Sequence, residues 1–230
     1  MSAEVMIHAC KDRAWYVNDF LIPSMLEQGI KEEQITLWMD DNGNGCLKQW
    51  LNSCEYLKDK PGGTWHVQDD VLIASDFAEK IEEYDKGVVC GFCHDLYETE
   101  GVQHLGYQLA FLMWQSSFPC IRIPNEVLGH FYKWFYDVAV HDKGFQKYIK
   151  TGKCDDTIFR LFMCNERSTD IVYNLAPHLV EHVDYLVGGS QVNQWRGYAA
   201  MGAYFYDDYL VDNLIEKIAK RRARERSFFI

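Results

Sequence analysis

The chain has 230 residues, of which 48% are hydrophobic and 15% aromatic, a composition that supports a sizeable core and excludes a disordered or fibrous protein. Its length fits one large domain or two small ones. The formal net charge of −11 disfavours a general nucleic-acid-binding protein, because contacts to phosphates require Lys and Arg.

The N-terminal half alternates strand-like and helix-like segments. The strands are predicted over 5–9, 35–39, 64–68 and 87–92, and the helices over 15–28, 46–57 and 76–84. Pro23 predicts a kink or a late start in the first helix, and Asp76 with Glu79 resembles a capping box at the start of the third. This alternation predicts an α/β fold, with a mostly parallel central sheet that carries helices on both faces.

Two pairs of adjacent aspartates stand where predicted strands end. Asp40 and Asp41 follow the second strand, and Asp69 and Asp70 follow the third. Such sheets bind ligands at the carboxyl ends of their strands, so we expect both pairs at one edge. Mg²⁺ and Mn²⁺ often take one or two carboxylates together with substrate phosphates. On residue type alone, a solvated turn or a helix entry remains an alternative for Asp69-Asp70.

The second half of the chain is less regular. Strands are predicted over 117–123 and 170–174, an aromatic-rich helix over 125–140, and a loop over 152–156 that opens a helix over 157–164. The aromatic residues between 114 and 134 recur at helical spacing, which favours a place in the core over stacking on a sugar. No repeat or linker divides the chain, so residues 1–200 are predicted to form a single domain.

Residues 201–230 are predicted to form a C-terminal amphipathic basic helix and tail. Six Lys and Arg stand between 216 and 226, whereas the rest of the chain carries 17 basic and 32 acidic residues. A solvated helix face is the simplest interpretation. Peripheral contact of residues 216–230 with an anionic membrane, or with nucleic acid, stays open.

The cysteines and the apolar runs indicate in which cellular compartment the protein is expected. Eight cysteines are scattered along the chain, and Cys90 and Cys93 are the only close pair. A structural zinc site usually needs two such pairs, so these two are predicted to be core thiols. The sequence shows neither a signal-peptide pattern nor an apolar run of about 20 residues. The prediction is a cytoplasmic protein without a transmembrane segment, free or at the membrane periphery.

The stretch over 64–77 reads TWHVQDDVLIASDF. A strand, a carboxylate cluster, an apolar run and an Asp-Phe pair that opens a helix resemble glycosyltransferases of the GT-A fold, in particular the lipopolysaccharide-type, family 2-like nucleotide-sugar transferases. Gln68-Asp69-Asp70 fills the place of their metal-binding acidic motif. Gln68 departs from the Glu or Asp usual there, although its amide oxygen can still coordinate. The segment PHLVEHV over 177–183 resembles their P-x-L-V-x-H segment.

The resemblance implies roles for nine residues. The implied metal ligands are Asp70 and His182, the implied general base is Asp155 or Asp156, and the implied donor-binding residues are Lys11, Arg13, Asp41, Gln68 and Asp69. The metal would be Mn²⁺ or Mg²⁺, and the base would serve an inverting transfer. An N-cap of the following helix is the competing interpretation of the Asp155-Asp156 loop.

The implied reaction moves a sugar from a nucleotide diphosphate sugar, with UDP-sugars favoured, to an acceptor hydroxyl. A glycan, a lipid-linked molecule and a modified nucleobase are all open as acceptors. One alternative is a non-catalytic carbohydrate- or nucleotide-binding protein of the same fold, of which Gln68 would be a sign. Another is a metal-dependent nucleotidyltransferase, but such enzymes usually carry a glycine-rich anion loop early in the chain, and residues 9–14 contain no glycine.

Overall fold

The computed structural model describes residues 3–92, 107–110, 118–152, 155–175 and 178–183, together with Val187 and Glu216. The predicted C-terminal helix and tail, Cys93 of the close cysteine pair, and Pro177 lie outside the described residues, apart from Glu216.

Nine described strands form a large sheet and a small one. They are β1 (Glu4–Cys10), β2 (Ile35–Asp40), β3 (Gly63–Gln68), β4 (Val71–Ile73), β5 (Val88–Cys90), β6 (Tyr107–Ala110), β7 (Cys120–Pro124), β8 (Val172–Leu175) and β9 (Val180–His182). The large sheet has seven strands in the order β2-β1-β3-β7-β5-β8-β6, and the small sheet pairs β4 with β9. Only β7 and β6 run against their neighbours, so the predicted mostly parallel sheet is confirmed.

Helices cover both faces of the large sheet, as the alternation predicts. They are α1 (Ala14–Tyr16), α2 (Ile22–Glu27), α3 (Cys46–Leu57), α4 (Phe77–Glu83), α5 (Asn125–Trp134), α6 (Lys143–Ile149) and α7 (Asp155–Glu166). Successive side chains of β1 point to opposite faces. Ile7 therefore packs in one buried cluster with α1, α2 and α4, and Met6 packs in a second with α3, α5 and α7.

The carboxyl ends of β1, β2 and β3 lie side by side. Cys10 pairs with Asp40, and His8 pairs with Gln68. The chain then turns at Asp69 and Asp70 into β4, and Val71 of β4 pairs with His182 of β9. The small sheet therefore brings β9, from far along the chain, to the end of β3.

The first helical segment is irregular near Pro23. A π-helical turn over Val17–Leu21 joins α1 to α2, and Pro23 lies in the first turn of α2. Leu21 and Ile22 keep helical backbone angles and Ile22 N donates to Val17 O, so Pro23 lies inside a continuous helical segment, where it has no N–H to donate. The predicted irregularity is present and falls just before the proline.

The predicted capping box at the start of α4 is wrong. Asp76 is the N-cap residue, but its side chain makes no capping hydrogen bond. Instead Gln28, just after α2, accepts a hydrogen bond from Ala78 N at 3.1 Å and donates one to Ala74 O at 2.8 Å. A side chain distant in sequence satisfies the free N–H group, so a local motif gave a misleading signal.

Several elements differ from the predictions in extent. The predicted helix over 125–140 divides into α5 and a π-helical turn over Phe135–Ala139. Four described elements, β4, β6, β9 and α6, have no counterpart among the predicted ones. Within the described ranges, no helix has the length and apolar character needed to cross a membrane.

Candidate functional site

A cavity of about 640 Å³ opens at the carboxyl ends of β1, β2 and β3. The nine residues to which the sequence resemblance implies a role all line it: Lys11, Arg13, Asp41, Gln68, Asp69, Asp70, Asp155, Asp156 and His182. They come from five separate places in the chain, so the fold brings them together. A more open depression of about 690 Å³, between α3 and α5, is lined by Lys58 and Tyr132 among others and contains none of the nine.

The Asp69-Asp70 pair is buried and shares one guanidinium. Each aspartate is 5% exposed, as is Arg13. Arg13 Nη1 lies 2.7 Å from Oδ1 of Asp69 and 2.5 Å from Oδ2 of Asp70. The second oxygen of Asp69 accepts a hydrogen bond from Cys10 N at 2.7 Å. Asp69 and Asp70 form a turn, but the turn is buried and not solvated as the alternative proposed, and Arg13 compensates part of the charge that burial would otherwise penalise.

His182 lies next to Asp70. Its Nε2 atom is 3.2 Å from Oδ2 of Asp70. Burial opposes ionisation of Asp70, but the hydrogen bond and charge of His182, followed by the charge of Arg13, outweigh it and lower the pKa of Asp70. Burial, and then the neighbouring Asp70, raise the pKa of Asp69. Asp70 is thus the member of the pair that is better held in its ionised form.

Asp69, Asp70 and His182 form one corner of the cavity, and backbone contacts fix this corner. Val183 N donates to Asp70 O at 2.7 Å, and the hydroxyl of buried Tyr16 donates to Val71 O at 2.8 Å. The peptide groups on both sides of the turn are therefore held by other elements. Such support keeps a carboxylate in one orientation before any ligand binds.

Asp155 and Asp156 begin α7 on the opposite part of the lining. Both residues lie inside the first turn of α7, and Asp156 Oδ1 accepts from Thr157 N, the next residue, at 2.6 Å, so neither of them is the N-cap that the competing interpretation proposed. The side chain of Asp155 instead meets the Cys46 thiol, and burial, followed by the charge of Asp156, raises its pKa to about 7. The two aspartates of this loop therefore differ in role: Asp156 stabilises the helix start, and Asp155 can exchange a proton near neutral pH.

The two residues that end β2 also differ. Asp40 accepts hydrogen bonds from Asn44 N and Gly45 N, each at 2.9 Å, and so holds the loop before α3. Asp41 is exposed at the cavity. Gly45 has a φ of +86°, and a Cβ atom there would stand 3.2 Å from Gly152 O. Glycine at 45 thus permits the close approach that brings the start of α7 to the cavity.

Part of the lining was not predicted from the sequence, notably His8, Trp50 and His66. His8 Nε2 and His66 Nδ1 are 2.9 Å apart. Burial lowers the pKa of His8 to about 3, and burial followed by His8 lowers that of His66, so both imidazoles are neutral at pH 7. Strand alternation offered a signal, because it places His66 on the same face as Gln68.

The corner at Asp70 fits a divalent cation that has two protein ligands. Among the described residues, Asp70 Oδ1 is a buried oxygen without a hydrogen-bond partner, and His182 Nε2 stands beside the other oxygen. Across the same part of the chain, no three or more His, Cys, Asp or Glu side chains are grouped to hold a metal. Mg²⁺ usually binds through one or two carboxylates and completes its coordination with waters and substrate phosphates. Asp70 Oδ1 and His182 Nε2 are thus the atoms of this corner that could hold such a cation.

No family model and no curated protein matches the chain. Among solved structures, the chain is similar to A197 from STIV, with 13% identity and a TM-score of 0.40 over 79% of this chain and 84% of that one. It is also similar to HddC from Yersinia pseudotuberculosis, with 10% identity and a TM-score of 0.31 over 56% of this chain and 79% of that one. Both similarities are too distant to bear on function.

Proposed function

We propose that the protein is a metal-dependent glycosyltransferase of the GT-A fold, which moves a sugar from a nucleotide diphosphate sugar to an acceptor hydroxyl. One observation carries the proposal. The nine residues implied by the sequence resemblance come from five places in the chain, yet all line one cavity at the carboxyl edge of a mostly parallel sheet. That edge is where α/β sheets bind their ligands.

The donor diphosphate would lie at the corner formed by Asp70 and His182. These two residues would hold Mn²⁺ or Mg²⁺ through Oδ1 of Asp70 and Nε2 of His182, which would lose its proton and its hydrogen bond to Oδ2 of Asp70 to become a ligand. A divalent cation bound there supplies positive charge to the diphosphate leaving group. Asp69, which is fixed by Arg13 and Cys10, would orient this corner. Lys11, Asp41 and Gln68 would contact the nucleoside or the sugar, with UDP-sugars as the expected donors.

Asp155 would act as the general base of an inverting transfer. Its carboxylate would accept the proton of the acceptor hydroxyl while the acceptor oxygen bonds to the anomeric carbon. The bond from that carbon to the phosphate oxygen breaks, and its electron pair leaves with the nucleotide diphosphate. A base works best when its pKa is near the operating pH, and Asp155, with a pKa of about 7, meets that condition.

The direct test is release of nucleotide diphosphate from a panel of UDP-, GDP-, CDP- and dTDP-sugars, with Mn²⁺ and with chelator. Slow hydrolysis by water is the expected activity without an acceptor, and it should require the cation. A matched incubation with the nucleoside triphosphate and a sugar 1-phosphate tests the nucleotidyltransferase alternative, which would release pyrophosphate. Metal-dependent binding without turnover on any sugar would favour the non-catalytic alternative.

The acceptor, the contact with a membrane or nucleic acid, and the cellular location are proposed from the sequence alone. The basic segment over 216–230, proposed for peripheral contact with a membrane or with nucleic acid, lies outside the described residues except for Glu216. A cytoplasmic location remains part of the proposal.

A further inference from the structure

We propose that Arg13 is an internal counter-charge that keeps the Asp69-Asp70 pair from binding a divalent cation tightly on its own, so that the cation binds tightly only together with a diphosphate. This inference rests on the proposed metal-dependent function. It assigns Arg13 a positioning role, in place of the direct donor contact implied by the sequence resemblance.

The geometry of the guanidinium carries the first step. A single nitrogen, Nη1 of Arg13, lies within 2.7 Å of Asp69 and 2.5 Å of Asp70. All three side chains are buried, so solvent screens their charges poorly. When His182 is neutral, as a metal ligand must be, two carboxylates and one guanidinium leave a net charge of about −1 at the corner. A cation that meets this corner finds about half the charge that an unpaired carboxylate pair would offer.

The free atoms carry the second step. Both oxygens of Asp69 and Oδ2 of Asp70 already have partners. Among the described residues, Asp70 Oδ1 is the one oxygen of the pair left without a hydrogen bond. The pair therefore presents one carboxylate oxygen to a cation, with His182 Nε2 as a second ligand. Most of the coordination must then come from water or from an incoming diphosphate, which also supplies the missing negative charge.

The field of Arg13 sets the size of the expected effect. A unit charge about 5 Å from a divalent ion, at an effective dielectric constant of about 40, changes the affinity for that ion by roughly two orders of magnitude. Removing the charge of Arg13 should therefore tighten the binding of Mn²⁺ alone by at least about tenfold. Lys11 lines the same cavity but is exposed, so solvent and salt should screen it, and its removal should change the affinity less than about threefold.

The test is a titration of the full chain with Mn²⁺ alone, in which electron paramagnetic resonance reports the free ion. The variants are Arg13→Gln, Arg13→Lys and Lys11→Gln, with Asp70→Asn combined with Arg13→Gln to locate the ion. We expect Arg13→Gln to bind Mn²⁺ about tenfold or more tightly than the unmodified chain, and Arg13→Lys and Lys11→Gln to stay within about threefold of it. The gain should vanish in the combined variant.

Three outcomes would overturn the inference. Arg13→Gln could bind Mn²⁺ no more tightly than the unmodified chain, Lys11→Gln could show the same gain, or the gain could survive the loss of Asp70. Thermal melts of each variant identify a chain that has failed to fold. Arg13→Lys keeps the positive charge, so it separates an effect of the charge from an effect of the altered side chain. The titration uses no nucleotide, so absence of turnover on every nucleotide-sugar would defeat the proposed function while leaving this result standing.

Discussion

His182 Nε2 lies 3.2 Å from Oδ2 of Asp70, and the pairing of β4 with β9 holds the two residues together. A hydrogen bond from Val183 N to Asp70 O, at 2.7 Å, fixes the same junction through the backbone. The small sheet thus places Asp70, from the first half of the chain, next to the imidazole of His182, from the second half. The proposed cation site depends on this junction.

Replacing Asp70 should remove the part of nucleotide binding that depends on a cation. In Asp70→Asn, the free Oδ1 position no longer carries a negative charge. We therefore expect the gain in nucleotide diphosphate affinity on adding Mn²⁺ to be smaller than in the unmodified chain by a factor of about ten or more. Isothermal titration with and without Mn²⁺ measures the difference. Asp76→Asn is the matched control, because Asp76 is half-buried, makes no capping hydrogen bond and does not line the cavity. An undiminished effect of Mn²⁺ in Asp70→Asn would place the cation elsewhere.

The pH dependence of turnover should report Asp155. If Asp155 is the base, kcat/KM should rise with pH and level off above about 7, the pKa of that carboxyl. After burial, the charge of Asp156 is the next cause of the raised pKa. Asp156→Asn should therefore move the rise to lower pH, because a neutral neighbour makes the Asp155 proton easier to lose. An unmoved profile in Asp156→Asn would remove Asp155 from the role of base.

Asp155 should also cost stability at high pH. Its pKa is raised from 3.8 to about 7 in the folded chain, so the folded state holds the proton more tightly than the unfolded state. The free energy of unfolding is therefore reduced as pH rises from about 4 to about 7, and the loss is complete above that range. Asp155→Asn removes the effect and should be more stable than the unmodified chain by roughly 2 to 4 kcal/mol at about pH 8.

Urea unfolding of the unmodified chain and Asp155→Asn across this pH range checks that prediction. The two stability curves should converge below about pH 4, where Asp155 is protonated in both states. A constant offset between the curves would show that the substitution acts through packing. Converging curves would support the raised pKa independently of any activity.

Gln28 should matter more for α4 than the predicted cap, Asp76. Gln28→Ala removes the hydrogen bonds to Ala78 N and Ala74 O, and we expect a loss of about 1 to 2 kcal/mol in the free energy of unfolding. Asp76→Ala removes no capping hydrogen bond and should cost less than about 0.5 kcal/mol. Chemical denaturation of both variants tests the comparison. The reverse order of the two losses would restore the capping box.

The sequence was most informative where short-range pattern and topology agree. The strand-helix alternation and the aspartates at strand ends sufficed to predict a mostly parallel sheet and a shared edge for Asp41 and Asp70, because parallel strands end on the same side. The predicted bounds of α3 coincide with Cys46–Leu57. The apolar residues of α3 recur at helical spacing, and they form the face of the helix that is buried in the structure.

The sequence was least informative where one residue takes a distant partner. Neither the capping of α4 by Gln28 nor the insertion of Arg13 between two carboxylates has a local signature. The same holds for the split between Asp155 and Asp156, which depends on burial and on Cys46. The residues of the site were therefore predictable, whereas their division of labour required the fold.

The central claim is that this cavity binds a nucleotide diphosphate together with a divalent cation. A thermal-shift panel of UDP, GDP, CDP and dTDP and their common sugars, each with and without Mn²⁺, tests it most directly, because a ligand that binds only the folded state raises stability by mass action. The account predicts a shift that requires both Mn²⁺ and one nucleobase, with the uridine series as the expected one, and that disappears in Asp70→Asn. No shift with any nucleotide at millimolar ligand and metal would contradict the account and leave Asp69 and Asp70 as a buried turn whose charge Arg13 offsets in part.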